Sequence, residues 1–165
     1  FGKGAPPRIA QRGWLAPQGG NAMLVSHILR EKGRDIVAIS PESTLYDAAN
    51  VLTRNRIGAL LVQDGRGALA GILSERDIVR AIARDGATAL EAPVSRYMTI
   101  HVVATNPLES VERLMQQMTE HRFRHMPVME DGRLAGLVSI GDVVKWHVEE
   151  IDHEREAMRD YIAHT

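Results

Sequence analysis

The sequence predicts an α+β fold in which one β-α-β-β-α unit is used twice, the two sheets packing on each other about a pseudo-two-fold axis. Two observations carry this reading. Gly67-Ala-Leu-Ala-Gly-Ile-Leu-Ser-Glu-Arg-Asp-Ile-Val-Arg80 recurs as Gly132-Arg-Leu-Ala-Gly-Leu-Val-Ser-Ile-Gly-Asp-Val-Val-Lys145, an offset of 65. Upstream the offset is 66, matching Val37-Ala38 with Val103-Ala104, Pro41 with Pro107, Arg56 with Arg122 and Val62 with Val128. The one-residue slip falls in a glycine-rich turn, where a change of length is cheap.

Each copy reads in the same order. Ile36 to Ile39 is a short apolar run closed by Pro41, hence a strand. Leu45, Ala48, Ala49 and Leu52 then fall at helical spacing, as do Val111, Leu114, Met115 and Met118 in the second copy. Thr44 and Asp47 stand at capping-box spacing and set the start of the first of these helices. Two apolar runs follow around Asp64-Gly65-Arg66-Gly67, and two more around Asp131-Gly132; Asp-Gly between hydrophobic runs is a hairpin signal. Ser74 and Ser139 open a last helix, with Ile78, Val79 and Ile82, or Val143, Val144 and Val148, expected on its buried side. A unit of roughly 50 residues buries too little surface to stand alone, which is why the sheets are expected to share one core.

The resulting division is an extension over 1–22, a first repeat over 23–88, a second over 89–148 and a helical extension over 149–165. Gly4, Pro6, Pro7, Gly13, Pro17, Gly19 and Gly20 argue against regular structure in the first segment, which reads as a leader or expression-derived extension ahead of a start at Met23. Val148, Ile151, Met158 and Ile162 give the last segment one apolar stripe among charges.

Composition excludes several functions. With 20 basic and 21 acidic residues there is no electrostatic footprint for nucleic acid or an anionic membrane. No apolar run approaches the roughly 18 residues of a spanning helix. The chain has no cysteine, so thiolate chemistry and disulfides are out, and a cytoplasmic setting is the expectation. No nucleophile, base and orienting group stand at defensible spacing, so no catalysis is expected. His121 and His125 are the one i, i+4 histidine pair, but they span a helix end and are not read as a metal site. Gly65-Arg-Gly67 lacks the Gly-Lys-Ser/Thr of a phosphate loop.

Tandem units ending in Gly71-Ile-Leu-Ser-Glu-Arg-Asp77 and Gly136-Leu-Val-Ser-Ile-Gly-Asp142, with Arg124-His-Met-Pro-Val128 before the second, resemble the CBS-domain pair, or Bateman module. The resemblance spans about residues 24 to 148 and implies a non-catalytic sensor of adenine nucleotides bound in the inter-repeat cleft. It implies AMP first, with ATP, ADP, NAD(H) or S-adenosylmethionine as alternatives, and no catalytic cofactor. One site would comprise Ile72, Ser74, Arg76, Asp77 and Arg80 with Ile100, His101, Phe123, Arg124 and His125. The other would comprise Leu137, Ser139 and Asp142 with Ser40, Leu45, Gly58 and Ala59. The resemblance also implies a homodimer formed through helices and an unidentified downstream protein that reads the ligand state.

The chemistry is consistent with that implication. A carboxylate accepts hydrogen bonds from a ribose diol, a helix N-terminus favours an anion, and arginine offers a phosphate forked donors. Arg76, Arg80, Arg124 and His125 would make the first site the more phosphate-loving one. Ser74-x-x-Asp77 and Ser139-x-x-Asp142 are equally the spacing of a capping box, in which the acid only supports a helix start. A nucleotide-independent interaction scaffold is the alternative function on that reading.

Overall fold

The computed structural model describes residues 22–164. The expectation of an unstructured extension over 1–22 therefore lies, but for Ala22, outside the described residues. The chain divides into two compact units, one of residues 35–104 with 132–134, the other of 22–34, 105–131 and 135–164.

In the first unit, β1 (Ala38–Ile39) runs parallel to β2 (Ala59–Gln63), which pairs antiparallel with β3 (Leu69–Ser74). Ala59, Leu60, Leu61 and Val62 are all buried, as a central strand covered on both faces must be, whereas β3 alternates buried and half-buried residues. Helices α2 (Leu45–Asn55) and α3 (Glu75–Asp85) supply the rest of the core: Leu45, Ala48 and Leu52 from one, Ile78 and Ala81 from the other. The expected Thr44/Asp47 box is formed, each backbone N–H donating to the other's side chain at 3.1 Å.

Two 3-10 turns, Ala87–Glu91 and Val94–Arg96, return the chain from α3 and are tied back to it. The Tyr97 hydroxyl donates to Asp85 at 2.6 Å while Arg84 bonds the same carboxylate, and Arg84 and Arg96 lie 5.3 and 5.6 Å from the Tyr97 ring centre. Hydrogen bonds from Arg84 first, then Tyr97, hold the Asp85 carboxyl down at about 2.

The second unit contains α4 (Val111–His121), the hairpin β4 (His125–Glu130) and β5 (Arg133–Ser139), and α5 (Ile140–Ala163). The strand expected near Val103-Ala104 is reduced to a parallel bridge between Thr105 and Val128, held by bonds of 2.9 Å from Thr105 N to Pro127 O and from Met129 N to Thr105 O. Here too belongs α1 (Val25–Lys32), although sequence order counts it with the first repeat. Val25 N and Ser26 N donate to the carbonyls of Glu109 and Pro107 at 2.9 Å, Lys145 pairs with Glu31, and Arg34 pairs with Glu130.

The hairpins explain the slip in the repeat. Asp131 and Gly132 both have positive φ, 50° and 73°, as the tight two-residue turn requires. The first copy uses a longer turn in which the Asp64 carboxylate accepts from Arg66 N and Ala68 N at 2.9 Å, with a bulge between Val62 and Gln63.

One expectation is corrected. Val79 and Ile82 on α3, and Val144 and Val148 on α5, are 65, 39, 46 and 52% exposed. Each helix sinks a narrow line into its unit, Ile78 with Ala81 and Val143, and the neighbouring apolar positions are turned outward by the 3.6-residue period. The expected C-terminal extension is helical and continuous with α5, a single helix of 24 residues whose positions 151–164 are exposed.

Two glycines of the repeat are held by close contacts. A Cβ at Gly71 would lie 2.7 Å from the Thr99 carbonyl oxygen and 2.9 Å from Met98 Sδ, whereas at Gly136 it would meet the Leu29 Cδ2 methyl at 2.7 Å. Backbone cannot yield as a leucine rotamer can. Gly71→Ala is expected to lose about 1–3 kcal/mol of stability in urea denaturation, and Gly136→Ala distinctly less.

Candidate functional site

Strand β3 passes into α3 with no intervening loop, and Ser74 makes the junction. Its Oγ accepts from Asp77 N at 3.2 Å while its own N–H and O–H donate to Asp77 Oδ2 at 2.8 and 2.9 Å. The capping box is therefore real, and it engages one carboxylate oxygen of Asp77. Glu75 N donates to Gly58 O at 3.0 Å, fixing the start of α3 against the start of β2. Arg76 and Arg80 project from α3 as exposed side chains. Ile72, half-buried, exchanges both backbone bonds with Thr99 at 3.0 and 2.9 Å, which sets exposed Ile100 and His101 directly after this edge of β3.

The second unit repeats the junction at β5 and α5. Ser139 Oγ accepts from Asp142 N at 3.2 Å, and Ser139 N donates to Asp142 Oδ2 at 3.0 Å. Ile140 N donates to Arg124 O at 2.8 Å, the counterpart of the Glu75 to Gly58 bond. Within this unit Arg124 and the adjoining His125 thus stand at the α5 start beside Ser139 and Asp142, whereas the sequence reading grouped them with Asp77. Phe123 precedes them, half-buried, with its ring 5.6 Å from that of His121.

The remaining expected residues are placed as follows. Gly58 and Ala59 begin β2 beside the α3 start, and Ala59 is 1% exposed. Leu45 opens α2 fully buried in the core, its N–H donating to Ala92 O at 3.0 Å, so its side chain is spent on packing. Ser40 is exposed and donates its hydroxyl to the Glu42 carboxylate, which holds that carboxyl below its ordinary range. Leu137 lies on β5, half-buried.

One residue escaped the sequence reading. Lys32, the last residue of α1, donates from Nζ to Leu137 O at 3.0 Å and to Asp142 Oδ2 at 2.5 Å. Burial raises the Asp142 carboxyl, but the bonds from Lys32 and Ser139 outweigh it and the net shift is downward.

Among the described residues no group of three or more His, Cys, Asp or Glu could hold a metal ion, and no helix is long and apolar enough to cross a membrane. What the fold and these junctions define is a duplicated α+β binding module, each copy presenting a capped carboxylate at a helix start.

The chain belongs to the CBS domain family, whose model matches residues 25–84 and 94–149, and it is a tandem CBS pair, or Bateman module. Such pairs are regulatory ligand-binding modules and not enzymes. The chain is 46% identical to a CBS-domain protein, ATU1752, from Agrobacterium tumefaciens, whose structure superposes with a TM-score of 0.74 over 79% of this chain and 97% of that one. It is 35% identical to the mitochondrial CBS domain-containing protein CBSX3 of Arabidopsis thaliana over 95% of this chain and 77% of that protein. It is also similar, at 25% identity and a TM-score of 0.67 over 76% of this chain and 99% of that one, to the CBS pair of protein MJ0100, solved in complex with 5′-methylthioadenosine and S-adenosyl-L-methionine.

Because both serines cap, Ser74→Ala and Ser139→Ala are each expected to cost about 1 kcal/mol. Asp77→Asn and Asp142→Asn should cost less, since the amide oxygen still accepts the N-cap N–H. Thermal unfolding followed by circular dichroism checks both statements.

Proposed function

We propose that this chain is a regulatory sensor of adenine nucleotides, in which the capped aspartates Asp77 and Asp142 each accept the hydroxyls of a ribose. The observation that carries it is the economy of the two boxes: in each, the helix start engages Oδ2 of the aspartate, and Oδ1 has no hydrogen-bond partner among the described residues. A carboxylate held by its cap and still able to accept suits a sugar diol. Adenosine-type ligands in the MJ0100 pair support the same chemistry here. The inter-repeat cleft expected from the family resemblance remains part of this reading, with AMP as the first ligand and ATP, ADP, NAD(H) or S-adenosylmethionine as alternatives.

The grouping of Arg124 and His125 with Asp142 favours the second repeat as the more phosphate-selective one, the reverse of the sequence expectation. At the first repeat Ile72, Ile100 and His101 offer an apolar edge with exposed backbone, and Arg76 and Arg80 supply the nearby charge. Sensing further requires that the ligand bind one conformation better than another, because equal affinity shifts nothing. No nucleic acid enters this reading, and a cytoplasmic setting is retained.

The test is a melting-temperature and calorimetric scan of the five ligands. AMP is expected to raise the melting temperature, and Asp142→Asn to remove the larger share of that rise while leaving the chain folded. If none of the five raises it at millimolar concentration, the reading is abandoned in favour of the interaction scaffold.

The same proposal includes a homodimer. Val79 and Ile82 on α3 and Val144, Val148 and Ile151 on α5 are 39 to 65% exposed, and an apolar helix face of this kind is what a second copy would cover. Val79→Lys and Val148→Lys are each expected to shift the chain from dimer to monomer in light scattering coupled to gel filtration. A monomeric unmutated chain would remove the dimer from the proposal.

A further inference from the structure

Beyond the duplicated junction lies a difference between the two copies. In the first, the second donor to the aspartate's Oδ2 is the Ser74 hydroxyl, a neutral group that can rotate away. In the second that donor is the Lys32 ammonium, at 2.5 Å. Met98, which packs against Gly71 in the first copy, is answered in the second by Leu29, which packs against Gly136, so Lys32 is not the counterpart of that apolar filler. Both copies thus keep an apolar filler, and the second adds a cation bonded to the acid that the nucleotide reading assigns to the sugar.

Asp142 Oδ2 already accepts from Ser139 N, so with Lys32 both of its lone-pair directions are used. A neutral diol that spans both carboxylate oxygens finds Oδ1 open, but at Oδ2 it competes with a charge-assisted bond and has nothing to offer the displaced ammonium. A phosphate does, because lysine is a point charge on a flexible four-carbon stem that can swing from one anion to another without leaving the site. The Lys32 side chain is 41% exposed, which leaves room for that swing.

We propose that Lys32 is the selectivity element of the second repeat: in the free protein it occupies the Asp142 carboxylate, and it yields that carboxylate to a ligand's sugar hydroxyls when the ligand brings an anionic group for the ammonium to bind. This rests on the nucleotide reading and adds the chemical class, phosphorylated nucleosides over neutral ones, to one of its sites. The arrangement belongs to α1, which reaches the second unit through the Met23 to Ser26 backbone bonds and the Glu31 and Arg34 ion pairs on either side of Lys32.

The experiment is calorimetry on the full chain carrying Asp77→Asn, which removes the first repeat's acid, titrated with AMP and with adenosine. AMP is expected to bind more tightly by at least about tenfold, the size of one charge-assisted contact. Lys32→Met is expected to close that gap from both sides, weakening AMP and strengthening adenosine, and Lys32→Arg to keep it open. Methionine keeps an unbranched stem without the charge, and the flanking ion pairs stay in place, so the variant is expected to fold; Lys32→Gln gives the same readout should it not. An AMP preference that survives Lys32→Met undiminished, with Asp142→Asn still abolishing it, overturns the role of Lys32 and leaves nucleotide sensing standing. Failure of the unmutated chain to bind either compound overturns the nucleotide reading, and the inference falls with it.

Discussion

The reciprocal cap at the strand-to-helix junction is the constraint on which each unit depends. β3 ends on Ser74 and α3 begins on Glu75; β5 ends on Ser139 and α5 begins on Ile140. With no loop to absorb error, the chain must leave the sheet and enter the helix at one residue, and a helix start leaves four N–H groups unpartnered. The serine and the aspartate three positions on satisfy two of them, and the bond from the first helical N–H to Gly58 or Arg124 locks the helix to the neighbouring strand. Everything the second helix buries, Ile78 and Ala81 in one copy and Val143 in the other, follows from the direction set there.

Such local constraints are what made the fold legible. Periodicity 3.6 located α2 and α4, apolar runs around Asp-Gly located the hairpins, and the spacing of Thr44 with Asp47 located a cap, because in each case the determinant lies within a few residues of its effect. Long-range choices were not legible. Val79 and Val144 are as apolar as their buried neighbours, and nothing in a single sequence says how wide a stripe the sheet will cover. The α1 helix pairs across more than 80 positions, through backbone bonds that any sequence could make and ion pairs whose partners lie too far along the chain to be read from spacing. Arg56 and Arg122, matched in the repeat, hold left-handed conformations at φ 54° and 57° where glycine is usual, and we find no physical account of the arginine.

The candidate site was legible as a motif and only partly as a constellation. Ser-x-x-Asp carries its own geometry, so both aspartates were found. Which strand start adjoins which helix start within a unit depends on the sheet, and the Ile140 to Arg124 bond places the backbone of Arg124 at the α5 start. Lys32 was missed for the same reason: in sequence it is one charged residue at a helix end, and only the closeness of α1 to β5 gives it Asp142 and Leu137 as partners.

Duplication followed by divergence at a few positions accounts for the division of labour between the copies. The paired junctions are kept because each copy needs its cap to fold, whatever it binds. The flanking positions are under no such demand: Gly58 in the first copy answers Arg124 in the second, Arg76 answers Gly141, and Lys32 is brought to the second by α1. Charge is therefore distributed differently around the two junctions without altering the fold. On the proposed reading, a ligand's sugar would meet what both copies retain and its charge would meet what differs between them. Asp142, in the first turn of α5, lies about 30 Å along the helix, at about 1.5 Å per residue, from exposed Ile162 near its end. On the proposed reading, any change that a ligand imposed on the cap would be imposed on the first turn of the longest helix among the described residues, a direct mechanical route from nucleotide to partner.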